Sequence, residues 1–193
     1  MNVCVYAASS DAPERVYFDA AYELGILLAR GGHRLVFGGG ASGLMGACAR
    51  GVLESGGEAL GVAPRFFDEP GVLFKEGCSF FFTETMAQRK TYMAQEAEAF
   101  IALPGGIGTY EEFFETLTLK QLGQHDKPIA LLNTLGYFEP FQALLRRTAE
   151  KGFMGRGLFE LYALCKTPEE ALAHVTAGSP AAHAPRGIGS YGK

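Results

Sequence analysis

Ala99-Phe100-Ile101-Ala102-Leu103-Pro104-Gly105-Gly106-Ile107-Gly108-Thr109-Tyr110-Glu111-Glu112 is the stretch that decides the fold. Its first half is apolar throughout, as a strand buried on both faces must be. A Pro-Gly-Gly turn breaks the run, and a helical pattern follows over about 110–122. The same order occurs upstream. The run Arg34–Phe37 leads into Gly38-Gly39-Gly40-Ala41-Ser42-Gly43-Leu44-Met45-Gly46, which opens a helical stretch over about 43–55. A strand that exits through glycines into a helix is a unit of a parallel α/β sheet.

Outward from these two units the alternation continues. Val3–Ala8, Ala59–Ala63, Ser79–Phe82, Ile129–Leu132 and Leu161–Cys165 are further strand-like runs. Between them, Tyr17, Ala20, Ala21, Leu24, Leu27 and Leu28 recur at helix spacing, and other helical patterns cover about 86–97, 137–151 and 168–175. The expectation is an α/β fold, a doubly wound parallel sheet of about seven strands with helices on both faces. No repeat or linker divides it, so residues 1–176 read as one domain. Residues 177–193, rich in Ala, Gly, Pro and Ser, can bury little and read as a flexible C-terminal tail.

Composition bounds the function. The chain has 193 residues, 48% hydrophobic and 20% charged, which excludes a disordered chain and suits one globular domain. A net charge of −4 argues against a general nucleic-acid binder, although helix ends can still hold an anion locally. Cys4, Cys48, Cys78 and Cys165 lie far apart without a C-x-x-C pair and read as buried reduced thiols. His33, His125, His174 and His183 have no ligand-like neighbours, so no metal is expected. No apolar run is long enough to span a membrane. Met1 leads straight into an apolar strand without a basic segment, so the expected location is the cytoplasm.

Both glycine loops follow the C-terminal end of a strand, where ligands bind in open α/β sheets. Glycines let the backbone approach a ligand closely. The first amides of the following helix lack partners and carry positive potential, an environment suited to a phosphate. Gly38, Gly40 and Gly43, with Glu58 downstream, also spell a short dinucleotide fingerprint, but on the second strand rather than the first. Thr109-x-x-Glu112 reads as a capping box, with Thr109 at the N-cap. Thr167-Pro168-Glu169-Glu170 repeats that spacing without a glycine loop and reads as structural. What distinguishes Glu112 is its position at the mouth of the sheet. Arg89 and Lys90 sit early in a helix, where cations oppose the dipole unless an anion compensates them. That makes Arg89 and Glu112 a candidate pair.

These motifs together resemble those of the LONELY GUY (LOG) family: the Gly-Gly-Gly-Ala-Ser-Gly-Leu-Met-Gly loop, Arg89-Lys90, Pro-Gly-Gly-Ile-Gly-Thr-Tyr-Glu-Glu, and the stretches Gln121-Leu122-Gly123 and Asp126-Lys127-Pro128. Members are cytokinin riboside 5′-monophosphate phosphoribohydrolases, and bacterial ones long carried the label lysine decarboxylase. The resemblance, over about residues 1–175, implies a Rossmann-like fold and a homodimer with each site near the interface. It implies hydrolysis of an adenine-type nucleoside 5′-monophosphate to free base and ribose 5-phosphate, without a cofactor. The catalytic Arg and Glu of the family fall on Arg89 and Glu112. Lys90, the loop Gly105, Gly106, Ile107, Gly108, Thr109 to Glu111, and Thr118 fall on nucleotide-contacting positions. Gly39, Gly40, Ser42, Gly43 and Met45 belong to the first loop, and Ser9 or Ser42 could add hydroxyl donors. Three features depart from the family pattern: Ala7-Ala8 before Ser9, Gly71 where relatives carry a Glu (with Asp68 or Glu69 as candidate substitutes), and Leu119-Lys120 without a Trp.

Three other functions fit less of the sequence. A dinucleotide-dependent oxidoreductase would rest on the Gly38, Gly40 and Gly43 fingerprint alone. A lysine decarboxylase needs a pyridoxal-phosphate lysine with supporting groups. A non-catalytic nucleotide-sensing module would use the same loops without cleaving the substrate.

Overall fold

The computed structural model describes residues 1–177. The expected tail lies outside them except for Ala177, which ends the last helix. Seven strands, β1 (Asn2–Tyr6), β2 (Arg34–Phe37), β3 (Ala59–Pro64), β4 (Ser79–Thr83), β5 (Ala99–Ala102), β6 (Ile129–Leu132) and β7 (Ala163–Cys165), form one sheet in the order β4-β3-β2-β1-β5-β6-β7. Every neighbouring pair is parallel. The helices are α1 (Arg15–Arg30), α2 (Gly43–Glu54), α3 (Met86–Glu96), α4 (Ile107–Gln121), α5 (Glu139–Glu150) and α6 (Pro168–Thr176).

Side chains alternate across the central strand and define two cores. Val3 and Val5 point to a layer with Ala21, Leu24 and Leu28 of α1, Leu44 and Val52 of α2, and Ala171 and Val175 of α6. Cys4 and Tyr6 point to the opposite layer with Met93 of α3, Phe113 and Leu117 of α4, and Phe141 and Leu145 of α5. Phe100, Phe113 and Phe138 are fully buried there, and truncating any one to Ala costs about 3–5 kcal/mol. α1 and α2 cross in close contact because Gly25 and Gly51 meet there. A Cβ on Gly25 would lie 2.2 Å from the Cys48 carbonyl. That contact fixes α2 and the glycine loop at its head.

The chain winds outward from β1 to β4, then returns through α3 to place β5 on the other side of β1. The strand order therefore reverses between β1 and β5, and a crevice opens at their C-terminal ends. Several boundaries differ from expectation by one to three residues, β1 for example ending at Tyr6 rather than Ala8, and two of the differences have a visible cause. β7 begins at Ala163 rather than Leu161, because Tyr162 turns inward and exchanges hydrogen bonds of 2.8 and 3.1 Å with Gln142. α4 begins at Ile107, earlier than the periodicity indicates.

Candidate active site

The early start of α4 corrects the capping assignment. Gly106, extended at φ −89° and ψ −157°, is the N-cap and supplies no side chain, while Thr109 is the third helical residue. Glu112 is therefore not a capping residue and is free for another role. The Tyr110 amide closes the first helical turn onto the Gly106 carbonyl. No group among the described residues takes up the amides of Ile107, Gly108 and Thr109. Gly106, Ile107 and Gly108 are exposed, Ile107 at 84%, and a Cβ on Gly106 or Gly108 would meet nothing within 4 Å. Gly105 is different: a Cβ there would lie 2.1 Å from the Thr109 hydroxyl. The N-terminus of α4 is an open set of donors with helix-dipole potential behind it, as an anion site requires.

The first loop is not equivalent. Gly43, at φ +64°, donates its amide to Asp11 Oδ1 at 2.7 Å, and the Met45 amide donates to the Ala8 carbonyl at 3.1 Å. The Gly40 amide contacts Met45 Sδ at 3.2 Å. The segment between β3 and β4 straps the loop down: Phe74 donates to Gly39 O and Ala41 donates to Val72 O. The head of α2 thus has an internal carboxylate already. Ser9 and Ser42 are exposed beside it, since Gly43 packs directly on the Ala8–Ser9 backbone.

Arg89 and Glu112 meet below these loops. Arg89 is 5% exposed and Glu112 9%. Arg89 Nη1 donates to Glu112 Oε1 at 2.7 Å, and Arg89 Nε donates to the Val62 carbonyl at the end of β3 at 3.0 Å. The guanidinium lies against Gly38, where a Cβ would come within 2.0 Å of Nη2. The first glycine loop therefore makes room for the arginine. Charge proximity alone suggests that Arg89 keeps Glu112 readily ionised. Burial overrides this and raises the Glu112 carboxyl above the usual carboxylate range, with Arg89 opposing the shift in part. A cavity of about 270 Å³ between α3 and α4 opens onto Glu112 and is also lined by Tyr6, Lys90, Thr116 and His125.

The cations early in α3 find the compensation that their placement demands. Lys90 pairs with Glu111 and, at 2.8 Å, with Glu115, and these hydrogen bonds raise its pKa. Thr85 and Gln88 cap α3 reciprocally, a box whose T-x-x-Q spelling was legible in the sequence. The Thr167 box is structural, with its hydroxyl accepting from the Glu170 amide at 3.3 Å. Thr118 is exposed on α4, about 240° round the helix from Glu112, and the chain does not bring the two together. Glu58 precedes β3, at the opposite end of the sheet from the loops, 84% exposed with a loose contact to Arg34, so the dinucleotide fingerprint has no spatial counterpart. Asp68 pairs with Lys75, and Gly71 adopts φ +81°, a turn conformation unfavourable for the Glu of relatives.

Comparison with known proteins gives the family and the fold. A family described as "Possible lysine decarboxylase" matches residues 45–175. A rice protein named probable cytokinin riboside 5′-monophosphate phosphoribohydrolase LOGL2 is 38% identical, over 93% of this chain and 73% of its own. The cytokinin riboside 5′-monophosphate phosphoribohydrolase of Rhodococcoides fascians is 38% identical, over 90% of this chain and 88% of its own. Among solved structures, the molybdenum cofactor carrier protein of Chlamydomonas reinhardtii superposes with a TM-score of 0.69 at 24% identity, covering 91% of this chain and 96% of that one. At that identity the likeness concerns the fold alone.

Proposed function

Because this chain belongs to the LOG family of cytokinin riboside 5′-monophosphate phosphoribohydrolases, we propose that it hydrolyses the N-glycosidic bond of an adenine-type nucleoside 5′-monophosphate to free base and ribose 5-phosphate. The observation that carries the proposal is a buried carboxylate, Glu112, one helical turn below the open N-terminus of the same helix. The amides of Ile107, Gly108 and Thr109 hold the 5′-phosphate, with the Ser9 and Ser42 hydroxyls beside them. As the C1′–N bond lengthens, positive charge builds on the ribose, as in glycoside hydrolysis. Ionised Glu112 stabilises that charge and polarises the attacking water. Water oxygen bonds to C1′ as the C1′–N bond breaks. Glu112 accepts the proton that water loses, and the base takes up one proton from solvent on its ring nitrogen. Water's two hydrogens are accounted for once Glu112 returns its proton to solvent. Arg89 fixes the carboxylate through Nη1 and is itself fixed by Val62.

The lysine decarboxylase label carries little chemistry here. A lysine that forms a Schiff base must lose its proton, whereas the acids around Lys90, the lysine beside the pair, favour its protonated form. We propose further that the protein acts in the cytoplasm as a homodimer, with Thr118 reaching the nucleotide of the partner subunit.

Chromatography of products from AMP, a prenylated adenine monophosphate and the matching nucleosides tests the function. Release of base from monophosphates, with nucleosides much slower, is expected. Thermal stabilisation by AMP without any release of adenine would overturn hydrolysis in favour of a sensing role.

A further inference from the structure

We propose that the Tyr137 hydroxyl is a positioning group for the phosphate site, holding the peptide between Gly105 and Gly106 in its anion-accepting orientation. The proposal rests on the assignment of the α4 N-terminus as that site.

Tyr137 follows β6 by way of a tight turn, Thr134–Gly136. Leu135 in this turn has φ +52°, the one non-glycine residue with positive φ among the described residues. A left-handed leucine costs about 1–2 kcal/mol, and the turn is held by Asn133, whose carbonyl and Oδ1 accept from the Gly136 and Phe138 amides at 3.0 and 2.7 Å. The Tyr137 ring packs edge-on against Tyr17 and Phe138, with centroids 6.0 and 5.1 Å away. Its hydroxyl donates to the Gly105 carbonyl at 2.7 Å. The Tyr110 hydroxyl, one turn into α4, lies 3.4 Å behind it as a weak donor.

In a trans peptide the carbonyl and the following N–H point in opposite directions. Tethering the Gly105 oxygen to Tyr137 therefore turns the Gly106 N–H away from Tyr137, and no group among the described residues accepts it. It joins the open amides of Ile107 and Gly108. Both residues flanking this peptide are glycines, which tolerate a flip at little cost. A flipped peptide would replace a donor with a carbonyl oxygen facing the phosphate. The tether removes that state before ligand arrives, and the energy it contributes appears in phosphate affinity rather than in bond cleavage.

Tyr137→Phe tests this in the full chain, because it keeps the ring and deletes only the tether. Titration calorimetry with ribose 5-phosphate and with adenosine, and steady-state kinetics with AMP, are the readouts. Expected are a rise of about fivefold in the ribose 5-phosphate Kd, the usual worth of one hydrogen bond, a matching rise in KM for AMP, and a kcat within twofold of wild type. Adenosine binding stays unchanged, and the Gly106 amide resonance shifts. Tyr110→Phe removes only the weak donor behind the tether, and its rise in the ribose 5-phosphate Kd should be smaller than that of Tyr137→Phe; a rise as large would overturn the proposal. Unchanged ribose 5-phosphate affinity in Tyr137→Phe would overturn the proposal, as would an equal loss for adenosine, which marks general loosening. Wild-type protein that binds ribose 5-phosphate no better than ribose would overturn the phosphate site itself. That outcome is distinct from a tyrosine without effect on a site that works.

Discussion

Gly38→Ala is a severe test of the site, because Gly38 has no catalytic chemistry of its own and lies far in sequence from Arg89 and Glu112. The added methyl would sit 2.0 Å from Arg89 Nη2 and 3.1 Å from its Cζ. Ordinary contact needs about 3.5–4.0 Å, so the guanidinium must retreat by about 1.5 Å. Both of its anchors then fail: the 2.7 Å bond to Glu112 and the 3.0 Å bond to Val62 would stretch beyond hydrogen-bond range. The clashing atoms are the far end of a flexible side chain, so the fold can yield locally. Loss of bonds to a charged group costs about 1.5–3 kcal/mol, or a Tm lower by about 3–12 °C for a chain of this size. Misplacing a catalytic constellation by about 1 Å costs on the order of 10² in rate. Adenine release from AMP, followed by chromatography beside a thermal melt, measures both effects. Turnover within twofold of wild type would refute the inference that Arg89 must occupy this seat for Glu112 to act.

Glu112→Gln should lower kcat by about 10²–10⁴-fold without loss of fold, as product analysis and melting will register. Folding raises the Glu112 pKa, so the folded state binds its proton more tightly than the unfolded chain does. Stability therefore declines as pH rises from the unfolded to the folded value, and Glu112→Gln should escape that decline in melts taken across pH 4–8. For the same reason the acid limb of kcat/KM should lie above the usual carboxylate range, which a pH–rate profile checks. Gly108→Ala adds a methyl into open space in a helix. It should raise Tm slightly, since Ala favours helix over Gly by about 0.5–1 kcal/mol, while raising KM for AMP by narrowing the anion site. Gly43→Ala combines φ +64° with a methyl 2.4 Å from the Ala8 carbonyl, and should lose Tm steeply in the same melt.

The strands and the helices between them were legible because buried parallel strands spell themselves as short apolar runs, and the two glycine loops mark where they turn; the order of the strands in the sheet was not. Arg89 and Glu112 could be paired from unfavourable placement alone, a cation early in one helix and an acid at the mouth of the sheet. The partners that finish the site could not be read. Asp11 reaches the Gly43 amide across a separation of 32 residues, and Arg89 reaches a backbone carbonyl, Val62, that no side-chain pattern encodes. The T-x-x-E spelling misled at Thr109 because a glycine can cap a helix without a side chain. The flanking glycines moved the helix start by three residues, and with it Glu112 from a cap to a buried site.

In the proposed mechanism, that shift lets the site work as a unit. Gly108 and Glu112 lie on one helix, about 6 Å apart along its axis, a rise of the same order as the path from a nucleotide's phosphorus to its anomeric carbon. A single rigid element therefore carries both the anion donors and the acid. Under the proposed function, phosphate binding at the head of α4 would fix the reacting carbon relative to the carboxylate, without dependence on a hinge between elements. Burial has a second effect. It weakens the hold on the ionised form of Glu112, so in the proposed reaction the carboxylate would gain most as a positive sugar forms beside it. Interactions that strengthen only as the transition state forms raise kcat rather than affinity. A nucleoside without phosphate should lose the positioning and with it most of the rate, even where its base still finds the site; comparison of adenine release from AMP and adenosine checks this.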